Sequence, residues 1–121
     1  MYRDRAARPV KGPRATRRTH DWIDERDRAV HAAVAERLRR DPSLVRVALR
    51  NLDRVEPAAS PGTRWAFAEW RRLIRELPPD ELLAFLTSDG EHATRMRQSS
   101  PFFGILPRAE RDAIFDHFET L

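Results

Sequence analysis

Four histidines, His20, His31, His92 and His117, are the side chains of this sequence that titrate near neutral pH. No two of them stand at the spacing that lets a helix face or a loop share one metal ion. Asp112, Asp116 and His117 are the nearest thing to a ligand set. His117 directly follows Asp116, so on a helix the two diverge by about 100° and point apart. Serine-based hydrolysis would need a base and an oxyanion donor beside the hydroxyl, as at a nucleophile elbow. The serines here all fall where helices are expected to be capped. With no cysteine, a thiol nucleophile, a thiolate metal site and a disulfide are all excluded. Four scattered glycines build no phosphate-cradling loop. No catalytic, cofactor-binding or metal-ligating residue is assigned, and a non-enzymatic protein is expected.

Charge carries more information. Residues 1–18 hold seven bases (Arg3, Arg5, Arg8, Lys11, Arg14, Arg17, Arg18) and one acid, Asp4, a net +6. The remaining 16 bases and 18 acids leave the rest at −2, so the basic balance belongs to the tail. Only one of the 23 basic residues is Lys, a usage that GC-rich coding produces without any phosphate recognition. Residues 1–18 contain Pro9, Gly12 and Pro13 and no large apolar group beyond Tyr2. Such a segment cannot bury enough surface to offset its chain entropy, and it is expected to be disordered when free. It reads either as an arm for phosphates or an acidic partner, or as a solubilising leader.

The elements that must position these groups are helical. The length of 121 residues suits one domain, here residues 19–121. The spacing predicts a first helix from Thr19 or Asp21, with Trp22, Ile23, Val30, Ala33, Val34 and Leu38 on one face. Arg26 and Arg37 fall inside that face; their stems are expected to pack while their heads reach water. Pairing with a second molecule is the alternative, which leaves a homodimer open. "RRDPSL" places Asp41 as cap and Pro42 in the first turn of a helix lined by Leu44, Val45, Ala48, Leu49, Leu52 and Val55. Its opposite side carries Arg46, Arg50, Asp53 and Arg54.

Ser60-Pro61 repeats that pattern and opens a helix with the stripe Ala66, Phe67, Trp70, Leu73, Ile74 and Leu77. Trp65 lies off the stripe, beside Glu69, Arg72 and Glu76. It is a candidate partner anchor, although packing on the neighbouring loop is the expected role so close to a helix start. "PPDELLAFL" predicts a fourth helix, with Leu82, Leu83, Phe85 and Leu86 inward. "SDGE" reads as a capping box, Ser88 with Glu91, before a short helix to about Gln98. A last helix after Pro107 carries Ile114, Phe115, Phe118 and Leu121. No segment alternates as a strand does, so the expected fold is all-α: a small bundle of five to six short helices with a disordered basic N-terminal arm.

Between the last two helices lies "SSPFFGIL". It is expected to act as a closing hinge with at least one of Phe102 and Phe103 inside, the other free to meet a partner. The sequence "DELLAFLTSDGEHATRMRQ" also has the outline of a helix-turn-helix, with Arg95 and Arg97 as candidate nucleic-acid contacts. Only Ala93 and Met96 would anchor its second helix, and Asp89 and Glu91 would repel phosphate. No apolar run reaches membrane-spanning length and no signal-peptide segment stands at the start, so a cytoplasmic protein is expected.

Across residues 28–115, "RAVHAAVAERLRRDPSLV", "AEWRRLI", "ELLAFLTSDGEHATRMRQSSPFFGIL" and "PRAERDAIF" resemble a family of small helical proteins common in actinobacterial genomes. The resemblance implies a protein without assigned activity, often encoded beside a nucleotidyltransferase-fold protein in a toxin–antitoxin-like arrangement. It brings no functional residues with it. The expected function is a protein-interaction module, an antitoxin or regulator binding a cognate protein. The tail bases, Trp65 and one of Phe102 and Phe103 are the expected contacts. Nucleic-acid binding through the same tail, with Arg95 and Arg97, is the alternative.

Overall fold

The computed structural model describes residues 12–120, with side chains from Asp21 onward. Within these residues the chain is all-α: six helices and no strand. Helix α1 (Gly12–Arg40) is the spine; α2 (Val45–Val55), α3 (Pro61–Glu76), α4 (Pro79–Thr87), α5 (Glu91–Arg97) and α6 (Arg108–Glu119) follow, with 3-10 turns at Pro42–Leu44, Glu56–Ala58 and Phe103–Ile105. The helices are not uniformly short, since the 29 residues of α1 span about 43 Å. Helix α1 begins at Gly12, upstream of Thr19, and Pro13 falls where a missing amide hydrogen costs nothing. Residues 1–11 of the basic arm lie outside the described residues.

Caps set most of the boundaries. The Asp41 carboxylate accepts from the Ser43 amide at 3.1 Å, and Pro42 starts the turn that leads into α2. Ser60 Oγ accepts from the Thr63 amide at 3.3 Å, with Pro61 in the first turn of α3. Both follow from a short oxygen-bearing side chain reaching back over an orphan amide. The expected capping box at Ser88 does not form. Gly90 stands at the N-cap of α5 without a side-chain bond, while Ser88 Oγ accepts from the Gly90 amide at 3.1 Å and closes a local turn.

Helix α1 packs on α4, α5, α6 and the turn at residues 103–105, while α2 packs on α3 and on that same turn. Val30, Val34 and Leu38 of α1 meet Ala48 and Leu52 of α2, Phe67, Trp70 and Leu73 of α3, Leu86, Met96 and Phe102 in one buried cluster. Trp70 is its centre: fully buried, its Nε1 donates to the Met96 carbonyl at 3.0 Å. Its ring meets Phe102 and Phe85 edge-to-face, at 5.3 and 5.7 Å between centroids. Helix α6 has no fully buried residue; it lies across α1 through half-buried Ile114, Phe115 and Phe118. Leu121 lies outside the described residues.

Arg26 and Arg37 both find partners within the chain. Arg37 Nη2 reaches Glu110 Oε1 at 2.6 Å, tying α1 to α6. The Arg26 guanidinium lies 4.4 Å from the Phe115 ring centroid and bonds Asp27 at 3.2 Å. Both stems pack along α1 as their place on its apolar face implies. Replacing Phe102 with Ala should cost about 3–5 kcal/mol by leaving a cavity against Trp70. Phe103→Ala, at a half-buried site, should cost about 1–2 kcal/mol. Urea unfolding of the two variants followed by circular dichroism would measure both.

Candidate functional site

Residues 98–106 are the point on which the surfaces of the molecule are aligned. They leave α5, turn under α1 and reach α6. The hinge expectation holds in split form: Phe102 is fully buried, and Phe103 is half-buried with its ring edge-to-face to His31 at 5.1 Å. Phe102 is therefore a core residue, and of the pair only Phe103 reaches the surface.

What fixes this turn is a set of contacts between residues far apart in the chain. His31, one turn beyond Asp27 on α1, is fully buried. Its Nδ1 lies 2.7 Å from the Asp27 carbonyl, an acceptor only, so Nδ1 carries the proton. Nε2 then accepts from Ser100 Oγ at 2.6 Å, and Ser100 Oγ in turn accepts from the Phe102 amide at 3.1 Å. Asn51 of α2 completes the clamp by donating to the Pro101 carbonyl at 3.0 Å. A serine hydroxyl on a histidine nitrogen has the outline of a nucleophile and its base. Burial, however, lowers the His31 pKa from 6.5 to about 4, far below the value a general base needs near neutral pH. The arrangement is suited to holding a turn in place.

Arg97 is also buried. Its Nη1 donates to the carbonyls of Leu86 at 3.1 Å and Ser88 at 2.8 Å, and its Nη2 to Thr94 Oγ1 at 3.2 Å. Arg28 Nε takes the intervening Thr87 carbonyl at 2.8 Å. Two arginines thus satisfy the orphan carbonyls at the negative end of α4. Burial holds Arg97 below the ordinary guanidinium range. A nucleic-acid role for Arg97 is overturned, because its head is inside; Arg95 is exposed.

On the surface, Trp65 is 61% exposed and the one large hydrophobic side chain so placed among the described residues. It does not pack on the preceding loop as expected. Glu69, one turn on, receives Arg72 through both carboxylate oxygens, at 2.9 and 2.7 Å, and lies 3.3 Å from His92 Nε2 on α5. The Arg72 hydrogen bonds hold the Glu69 carboxyl below the usual carboxylate range. Arg72 also reaches Glu76 at 3.1 Å, and His92 meets Phe85 edge-to-face at 5.2 Å. Trp65 therefore projects beside a net of paired charges that fixes the floor around it.

Of the expected contacts, Arg3, Arg5, Arg8 and Lys11 lie outside the described residues. Arg14, Arg17 and Arg18 occupy the first turns of α1, and their side chains lie outside the description too. Among the described residues no helix is long and apolar enough to cross a membrane, and no three metal-ligating side chains gather. Among the described residues the fold is a six-helix bundle with a polar-clamped hinge and one exposed tryptophan. Comparison with family models, curated proteins and solved structures finds no match for the chain.

His31 makes stability depend on pH. Its folded pKa of about 4 lies below its unfolded value of 6.5, so the unfolded chain binds a proton first. The stabilisation is fully present above pH 6.5 and is lost as pH falls towards 4. At about 1.4 kcal/mol per unit the loss is about 3 kcal/mol. Asp27 acts in the opposite sense: burial raises its pKa, so acidification relieves a buried carboxylate. His31→Gln should lower stability at pH 7 and flatten the remaining dependence between pH 6.5 and 4, measured by urea titrations at each pH. Arg97→Gln should cost about 2–4 kcal/mol through unpaired carbonyls, whereas Arg95→Gln should stay within about 0.5 kcal/mol of wild type in the same assay.

Proposed function

We propose that the protein is a non-enzymatic interaction module, an antitoxin-like or regulatory protein that binds a cognate protein through the face centred on Trp65. The observation that carries this reading is the exposure of Trp65 beside the Glu69–Arg72–Glu76 net. A tryptophan on a charged helix face gives up nothing to solvent when a partner covers it, and it supplies more contact area than any other side chain. The paired charges around it need no rearrangement on docking, which limits the entropy lost. The kind of partner implied by the resemblance is a nucleotidyltransferase-fold protein. Phe103, half-buried beside the hinge, is not on this face and is left out of the contact.

The test is co-purification of the tagged chain from its native host at high salt, with wild type and Trp65→Glu side by side. A stoichiometric protein retained by wild type and lost from Trp65→Glu, with unchanged thermal unfolding, is the expected result. Equal retention by both would remove Trp65 from the interface. The absence of any protein with wild type would remove the reading.

A further inference from the structure

The outer side of α2 carries three arginines in one row. Many arginines elsewhere meet carboxylates, as Arg37 meets Glu110, Arg71 meets Asp53 and Glu56, and Arg72 meets Glu69 and Glu76, while Arg28, Arg64 and Arg111 bond backbone carbonyls singly. Arg46, Arg50 and Arg54 are exposed and pair with no carboxylate among the described residues. They recur every fourth position, so they form a stripe with about 6 Å of helix rise from one to the next. The carboxylates closest in sequence, Asp53 and Glu56, are turned to Arg71 on α3, at 2.8 Å each. Asp53, the one carboxylate on the helix, is drawn to Arg71, so the stripe keeps a positive excess along α2.

At its C-terminal end the stripe enters a groove of about 650 Å³, lined by Arg54 and Asn51 of α2, Gln98 and Ser99, Phe103, and Arg111 of α6. Arg111 bonds only the Phe103 carbonyl, at 3.4 Å, among the described residues. The groove thus offers two guanidinium groups, the amides of Asn51 and Gln98, hydroxyls and the half-buried ring of Phe103 above an apolar floor.

We propose that this face binds single-stranded nucleic acid, with phosphates along Arg46, Arg50 and Arg54 and one base in the groove between Arg54 and Arg111. The charge pattern favours this occupant over an acidic protein segment. A protein interface needs an apolar anchor at its centre, and this face has no large exposed hydrophobic side chain. A polyanion needs only a row of cations, and an unstacked base needs polar groups and a ring edge. The site includes neither Trp65 nor any residue of the basic arm, so its variants test it independently of both.

The experiment is fluorescence anisotropy of the full chain with a fluorescein-labelled oligouridylate or oligothymidylate over a salt titration. Each neutralised phosphate on a single strand contributes about 0.7 to the slope of log affinity on log salt. The triple variant Arg46→Gln/Arg50→Gln/Arg54→Gln should therefore lose about 2 units of that slope and bind at least about tenfold more weakly at low salt. Arg111→Gln should weaken binding and change the preference between oligonucleotides of different base. The triple Arg→Lys variant should keep the slope, which guards against a loss caused by misfolding. Arg108→Gln, whose partner is Asp112, should bind as wild type does. An unchanged slope in the triple Gln variant would assign any binding to the arm and overturn the proposal. Labelled polyglutamate binding as tightly as the oligonucleotide, and losing affinity in the same variant, would overturn it in favour of an acidic protein segment.

Discussion

The burial of one neutral imidazole organises this molecule. His31 lies in the middle of α1 with no exposure, so both its nitrogens must find partners inside. The helix supplies one, the Asp27 carbonyl, at the cost of sharing an acceptor the backbone already uses. The second must come from another part of the chain, and Ser100 provides it across 69 positions. Once Ser100 is held there, the backbone that follows has little choice. Phe102 falls against Trp70, Phe103 against His31 itself, and the Pro101 carbonyl faces Asn51 on α2. A single satisfied side chain therefore fixes α1, α2 and α3 around the same turn.

Arg97 does for α4 and α5 what His31 does for the hinge. A helix end leaves its last carbonyls without intrahelical partners, and the Schellman glycine that often covers them is absent after Thr87. A guanidinium with several donors in one plane covers two carbonyls and a hydroxyl at once. The result is a buried cation without a bonded carboxylate, stabilised by the aligned dipoles of the helix end and by the more distant charges of Asp24, Asp27 and Asp89. Ala93 and Met96 beside it are buried as well, so α5 is anchored despite having only seven residues.

What could be read from the sequence was whatever is local. The stripes on α1, α2 and α3 follow from apolar residues at helical period, and Asp41-Pro42 and Ser60-Pro61 act within three residues of themselves. The failures are all nonlocal. Ser88 and Glu91 fit a capping box by spacing, but the three residues Ser88–Gly90 are drawn into a turn whose carbonyl Arg97 occupies. Arg97 has the composition of a surface residue and becomes internal because the end of α4 needs it. His31 sits on the apolar side of α1, where nothing nearby in sequence shows that a serine will reach it. Trp65 was expected to pack on the loop before α3; that loop instead turns Arg64 back to the Pro57 carbonyl, at 3.3 Å, and leaves the indole outside. For His31 and Arg97 the missing information is a partner that tertiary structure supplies; for Trp65 it is the absence of one.

A core of this size leaves no interior room for function. The buried polar side chains, Asp27, His31 and Arg97, all bond within the stretch from α1 to the hinge and are occupied with holding it. Whatever the protein recognises must therefore be met on its surface, and the surface is divided. Arg71, bonded to both Asp53 and Glu56, forms a seam of paired charges between α2 and α3. On one side of that seam stand cations without carboxylates and no aromatic anchor; on the other stands an exposed indole among charges that are already paired. The first attracts a polyanion at long range and loses its attraction as salt rises. The second is nearly silent at long range and gains its free energy from contact area. The two proposed ligands would therefore respond in opposite ways to ionic strength, a polyanion leaving the first face as salt rises and a protein staying on the second.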